Sequence, residues 1–176
     1  MDKKKFIFVI LVFIVIIVLF LTIKLSKGNY STDKKIKKEF YDNYDTISCI
    51  TEALEETSYS RINIQNVDYI YDDGNFGTWY VRDDEIGTEG IEKIPDVELV
   101  EMLNKIFTER KYQVVSKKDK TISFQLWSNL DVGKGVVYVS CGEAPSIQFL
   151  TKYEKLDKEN WFYYEADFNE WRLNHE

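Results

Sequence analysis

Proline and histidine are nearly missing from this 176-residue chain, which has two prolines (Pro95, Pro145) and one histidine (His175). So few prolines exclude a proline-rich linker or recognition tract. A single histidine, second from the end, is a poor organised base because terminal residues fray. A Cys141–His175 dyad would need that residue held in place, and no G-x-S-x-G elbow supports serine chemistry. Cysteines number two, Cys49 and Cys141, with no C-x-x-C, so no zinc pattern forms. Glycines number eight, and neither a low-complexity tract nor a solenoid or propeller period is present. The sequence therefore assigns no catalytic residue, no metal ligand and no cofactor.

A basic face is also lacking. The chain is net -7, but residues 1–38 carry +7 and the remainder from Glu39 onward carries -14. Nucleic-acid binding needs clustered basic residues, and the acidic body excludes it at this level.

One long apolar run is present. Residues Phe6 to Ile23 contain Thr22 as their only polar residue and lie between Lys3-Lys4-Lys5 and Lys24. A helix of that length spans about 27 Å, close to a hydrocarbon core of about 30 Å. The run exceeds the apolar region of a cleaved signal peptide, and no small-residue cleavage site follows it. The expectation is a short charged tail (1–5), a transmembrane signal-anchor helix (6–23), a juxtamembrane stalk (24–32) and a globular domain (33–176). Lys24, Lys27, Lys34, Lys35, Lys37 and Lys38 would then sit against anionic headgroups. The short charged tail ahead of a first span places the acidic domain outside the membrane, although the lysines beyond the run pull the other way. Outside, Cys49 and Cys141 could close a disulfide; otherwise they are small buried hydrophobes. The layout resembles small single-span proteins of Gram-positive bacteria, a resemblance of the anchor alone.

Beyond the anchor the periodicity predicts one α+β domain. Ile36, Phe40, Tyr44, Ile47, Ile50 and Leu54 form a helical stripe from Thr32 to about Thr57. Ile62, Ile64, Val67, Tyr69 and Tyr71 read as a strand with a bulge near Gln65-Asn66, turning at Asp72-Asp73-Gly74 into Thr78 to Arg82. An acidic loop runs from Asp83 to Lys93, and Pro95-Asp96 opens a second helix. Then come strands at Tyr112 to Ser116, Thr121 to Trp127, Val136 to Cys141, Ile147 to Tyr153 and Trp161 to Phe168. The expected fold is an antiparallel sheet of about six strands in a meander, packed against two helices in α-β-β-α-β-β-β-β order.

Two clusters invite functional readings. Asp72-Asp73 and Asp83-Asp84-Glu85 bracket a hairpin and could converge on Ca²⁺. They lack the D-x-[DN]-x-[DN]-G spacing, and turn chemistry explains them more simply. The aromatic strand from Trp161 to Phe168 puts Trp161 and Tyr163 on one side and Phe162, Tyr164 and Phe168 on the other. Either it is central and buried on both faces, or Trp161 and Tyr163, extended by Trp127 and Trp79, form an exposed binding patch. The expected function is a non-enzymatic, membrane-anchored extracytoplasmic binding module with the bilayer and a protein or envelope component as partners. Its alternatives are an envelope hydrolase with paired carboxylates or a cytoplasmic membrane-tethered regulator.

Overall fold

The structure is a computed structural model that describes residues 33–65, 78–85, 87–128 and 131–175. The first helical stripe is divided into α1 (Asp33–Asp42) and α2 (Tyr44–Glu55). Asn43 makes the break: it leaves helical geometry at φ -125° and ψ 15°. Its side-chain amide donates to the Glu39 carbonyl at 2.7 Å and to Glu39 Oε1 at 3.0 Å. The stripe survives the break, because Ile36, Phe40, Ile47, Ile50 and Leu54 are all fully buried. Helix α3 (Val97–Thr108) starts where expected, with Asp96 accepting from the Glu98 and Leu99 amides at 2.8 and 3.2 Å. Such a cap is worth about 1 kcal/mol. A fourth helix, α4 (Phe168–His175), ends the chain.

Eight strands follow in sequence: β1 (Arg61–Gln65), β2 (Thr78–Asp83), β3 (Thr88–Lys93), β4 (Val114–Lys118), β5 (Thr121–Ser128), β6 (Val132–Val139), β7 (Leu150–Lys155) and β8 (Trp161–Asp167). They form one antiparallel sheet in the order β3-β2-β1-β4-β5-β6-β8-β7. Strands β4 to β6 follow one another as a meander. The chain then skips one place to the edge for β7 and returns inside it as β8, which corrects the expected simple meander.

One sheet face packs on the helices. Ile62, Ile64, Trp79, Val81, Val115, Ile122, Phe124, Val136, Trp161 and Tyr163 join the buried residues of α1 to α3 in a single core. Each large apolar side chain so buried contributes about 1.5–3 kcal/mol. Trp161 is its aromatic hub, with ring centroids 4.9 Å from Phe40, 5.5 Å from Tyr138 and 5.8 Å from Phe124. A second, smaller core lies on the opposite face, where Val137, Val139, Phe162 and Tyr164 are covered by Ile147, Leu150 and Ala166.

Several expectations need correction. The sheet has eight strands rather than about six, and the described residues hold four helices rather than two. The segment read as an acidic loop contains β3, whose only large apolar residue is Ile91, so no alternation marked it. The expected membrane-spanning helix is not found: among the described residues no helix is long and apolar enough to cross a membrane. Residues 6–23, where it was expected, lie outside the described residues, as do the stalk, Lys24, Lys27, the bulge at Asn66 and the turn at Asp72-Asp73. The single-pass signal-anchor topology, the bilayer partner and the extracytoplasmic or membrane-tethered placement therefore have no support in the structure.

Candidate functional site

On the sheet face away from the helices, alternation fixes which residues stand side by side. Trp79 and Val81 of β2 are buried in the core, so Tyr80 and Arg82 stand on the far face. Register then builds two rows across the sheet. The first runs Ile91, Tyr80, Asn63, Ser116, Ser123, Val137 and Phe162. The second runs Glu89, Arg82, Arg61, Lys118 and Thr121.

These rows change character along their length. Over β6 and β8 the face is apolar and sealed by Ile147. Over β1, β4 and β5 it is small and polar, with Asn63, Ser116, Ser123 and Gln125 half-buried. The Ser116 and Ser123 hydroxyls are 2.7 Å apart. Burial pushes the Tyr164 phenol up, partly offset by a hydrogen bond from Ser123. Asn63 Oδ1 is buried without a hydrogen-bond partner among the described residues. At the outer end, Tyr80 and Ile91 are directly opposed and exposed, Ile91 by 61%.

The second row sets three cations in direct register, Arg82 beside Arg61 and Arg61 beside Lys118. Like charges so placed destabilise a sheet. Asp84 relieves part of that repulsion: Arg82 Nε donates to its Oδ1 at 2.6 Å and Ser60 Oγ to its Oδ2 at 2.8 Å. The Ser60 bond, followed by the bond from Arg82 and the charges of Arg82 and Arg61, holds the Asp84 carboxyl below its usual range. Arg61 and Lys118 remain exposed.

A second polar cluster lies on the helix face, where α1 meets β6, β8 and β7. Tyr163 Oη is 2.8 Å from both Asp33 Oδ1 and Glu165 Oε1. Lys152 Nζ bridges the same carboxylates at 2.6 and 3.3 Å, and Lys134 pairs with Glu165 Oε2 at 2.8 Å. Burial pushes the Asp33 carboxyl up, but hydrogen bonds from Lys152 and Tyr163 outweigh it and hold it at about 2. Glu165 is likewise lowered, burial being overcome by Lys134 and Tyr163. Burial and the two carboxylates push the Tyr163 phenol well up. These carboxylates are thus kept ionised, whereas a glycosidase pair needs one kept protonated. The cluster fastens α1 to the sheet and supplies no general acid, which corrects the hydrolase alternative.

The residues singled out from the sequence fall elsewhere. Trp161, Tyr163 and Trp79 are buried at 2%, 0% and 3% exposure, and Trp127 is half-buried, so they form no surface patch. Cys49 and Cys141 are exposed free thiols with no disulfide between them. Lys34 and Lys35 are exposed, Lys37 pairs with Glu154 at 2.7 Å, and Lys38 pairs with Asp42. His175 stacks on Trp171 with centroids 4.5 Å apart. Asp83 is buried and accepts from the Glu85 amide at 2.9 Å, a turn role. Among the described residues no group of His, Cys, Asp or Glu could hold a metal ion. Sequence reasoning missed Arg61, Arg82 and Lys118 as a set, because they are scattered over 58 positions and only strand register joins them. Compared with protein-family models, characterised proteins and solved structures, the chain matches none.

Proposed function

We propose that this is a non-catalytic binding domain that takes an acidic polypeptide segment on the far face of β2, β1 and β4. The observation that carries this reading is the row Arg82, Arg61 and Lys118, three cations in direct register on a body that is otherwise strongly acidic. Such a row costs folding stability, and a carboxylate-bearing ligand converts that cost into attraction. Next to it on the same face stands Asn63, a half-buried side-chain amide whose exposed part can hydrogen-bond a ligand backbone. Tyr80 and Ile91 offer apolar contact at the outer end.

Charge screening favours a short segment over a long polyanion. At physiological salt the field of the row fades over about 8 Å, so nucleic acid extending past it meets the acidic surface and is repelled. A peptide confined to this face meets chiefly Arg61 and Lys118, since Arg82 already pairs with Asp84 and stands beside Glu89.

The test is fluorescence anisotropy of a labelled Asp/Glu-rich peptide with the full-length chain and with Arg61→Gln/Lys118→Gln. The reading expects binding that weakens with salt and falls by about tenfold or more in the variant, as charge-assisted contacts are lost. Equal binding by chain and variant, or equal binding of a neutral peptide, contradicts it.

A further inference from the structure

The two edges of the sheet are treated differently. At one edge β7 is guarded: Lys152 and Glu154 are tied to Asp33 and Lys37 of α1 at 2.6 and 2.7 Å. A register shift between Leu150 and Lys152 also bends β7 away from a regular ladder. Such bulges and covers are the usual means of keeping an edge from pairing. At the other edge β3 shows neither among the described residues. Its six residues pair with β2 in unbroken register, it contains no proline, and Ile91 is 61% exposed. Among the described residues no strand pairs with its far side.

The sequence of β3, Thr88-Glu89-Gly90-Ile91-Glu92-Lys93, is self-complementary when run antiparallel to itself. A two-fold axis joining two such edges must stand perpendicular to the sheet, which keeps each face continuous. Odd residues then face odd residues and even face even. Glu89, Ile91 and Lys93 share the far face, opposite Arg82, Tyr80 and Thr78, while Gly90 and Glu92 share the helix face.

Three registers are available near the strand centre. Centred on Gly90, glycine faces glycine and Ile91 faces Glu89. Centred on Glu92, that carboxylate faces its own copy. Centred on Ile91, the two isoleucines meet, Glu89 faces Lys93 at both ends, and Glu92 faces Gly90. Only the last combines apolar contact with two opposite-charge pairs and no like-charge pair. It also joins Tyr80, Ile91 and their copies into one apolar band across the junction.

We infer that two copies of this chain associate through β3 in the register centred on Ile91, making one continuous sheet across both. This association does not rest on the acidic-ligand reading: the two share Tyr80, Ile91 and Glu89, but crosslinking at β3 is read without any ligand and without changing Arg61 or Lys118.

The test is register-specific crosslinking of the full-length chain in a Cys49→Ser/Cys141→Ser background. Directly opposed strand residues bring Cβ atoms about 4.5–5.5 Å apart, near enough for small strand shifts to close a disulfide. Ile91→Cys is expected to form a covalent dimer under mild oxidation far faster than Tyr153→Cys on the opposite edge. Glu89→Lys is expected to lower that yield by about tenfold, by placing lysine against lysine twice. Adding Lys93→Glu restores it. Equal rates for the two cysteine positions, or a charge swap that restores nothing, overturn the inference. Association through the apolar run at 6–23 would be indifferent to these charges and counts against it. The substituted side chains are exposed, so the variants leave the core intact.

Discussion

Lys117 reaches from strand β4 through the helix face of the sheet and donates from Nζ to the Leu54 carbonyl at 2.8 Å, in the last turn of α2. Its other donors go to the Thr57 carbonyl at 2.9 Å and Thr57 Oγ1 at 3.0 Å. One side chain therefore caps the helix from across the core. Burial lowers its pKa, with Glu55 pulling the other way, so the ammonium is held by helix-end carbonyls and the negative end of the helix dipole. The cap fixes α2 over β4, the strand that carries Lys118 on its far face.

Lys117→Met keeps the apolar stem and removes all three donors. The Thr57 carbonyl then loses its partner, whereas the Leu54 carbonyl keeps the Thr57 amide and hydroxyl, and the loss costs about 1–3 kcal/mol. The measurement is the urea midpoint at constant m-value. An unchanged midpoint would mean the cap is not needed.

Gly135 is held by close approach. A Cβ there would lie 2.1 Å from the Phe124 carbonyl oxygen, beside the register shift between Gln125 and Trp127. Gly135→Ala must push β5 and β6 apart, and overpacking of this kind costs about 1–3 kcal/mol. Gly133→Ala is the control, because its Cβ would meet only the movable end of the Gln125 side chain at 3.0 Å. Thermal unfolding of the two variants should separate them clearly; equal melting temperatures would contradict the tight approach.

Asp33 gives a pH dependence with a definite sign. Its folded carboxyl sits at about 2 against an ordinary 3.8, so between those values the unfolded chain binds more protons than the folded one. The Asp33 contribution is fully present above 3.8 and is lost as pH falls through 2. Unfolding free energy measured from about pH 5 to about pH 2 should fall more steeply in the wild-type chain than in Asp33→Asn. Parallel profiles would show that Lys152 and Tyr163 do not hold the charged form.

Much of the fold was legible in local pattern, and the rest was decided across strands. The Asp96 cap and the Ile122, Phe124, Leu126 alternation each mark their element without help from elsewhere. The break at Asn43 left no trace in periodicity, because the apolar stripe continues through it. Lys117 and Lys118 read as turn residues, yet β4 extends through both and the turn lies at Asp119, with φ 53°. Extension by two residues sends Lys117 into the core and Lys118 to the far face, which is the difference between a turn and part of a site. The aromatic strand was recognised, but whether Trp161 and Tyr163 face helices or water depends on β8 returning between β6 and β7. The cationic row is invisible in sequence because its members belong to β1, β2 and β4, and register alone makes them neighbours.

The most direct measurement of the binding reading is amide chemical-shift mapping of the full-length chain titrated with an Asp/Glu-rich peptide. Shifts concentrated at Arg61, Asn63, Tyr80, Arg82, Ser116 and Lys118, weakening with added salt, are the predicted result. Shifts confined to the helix side of the sheet, or none at all, would contradict it.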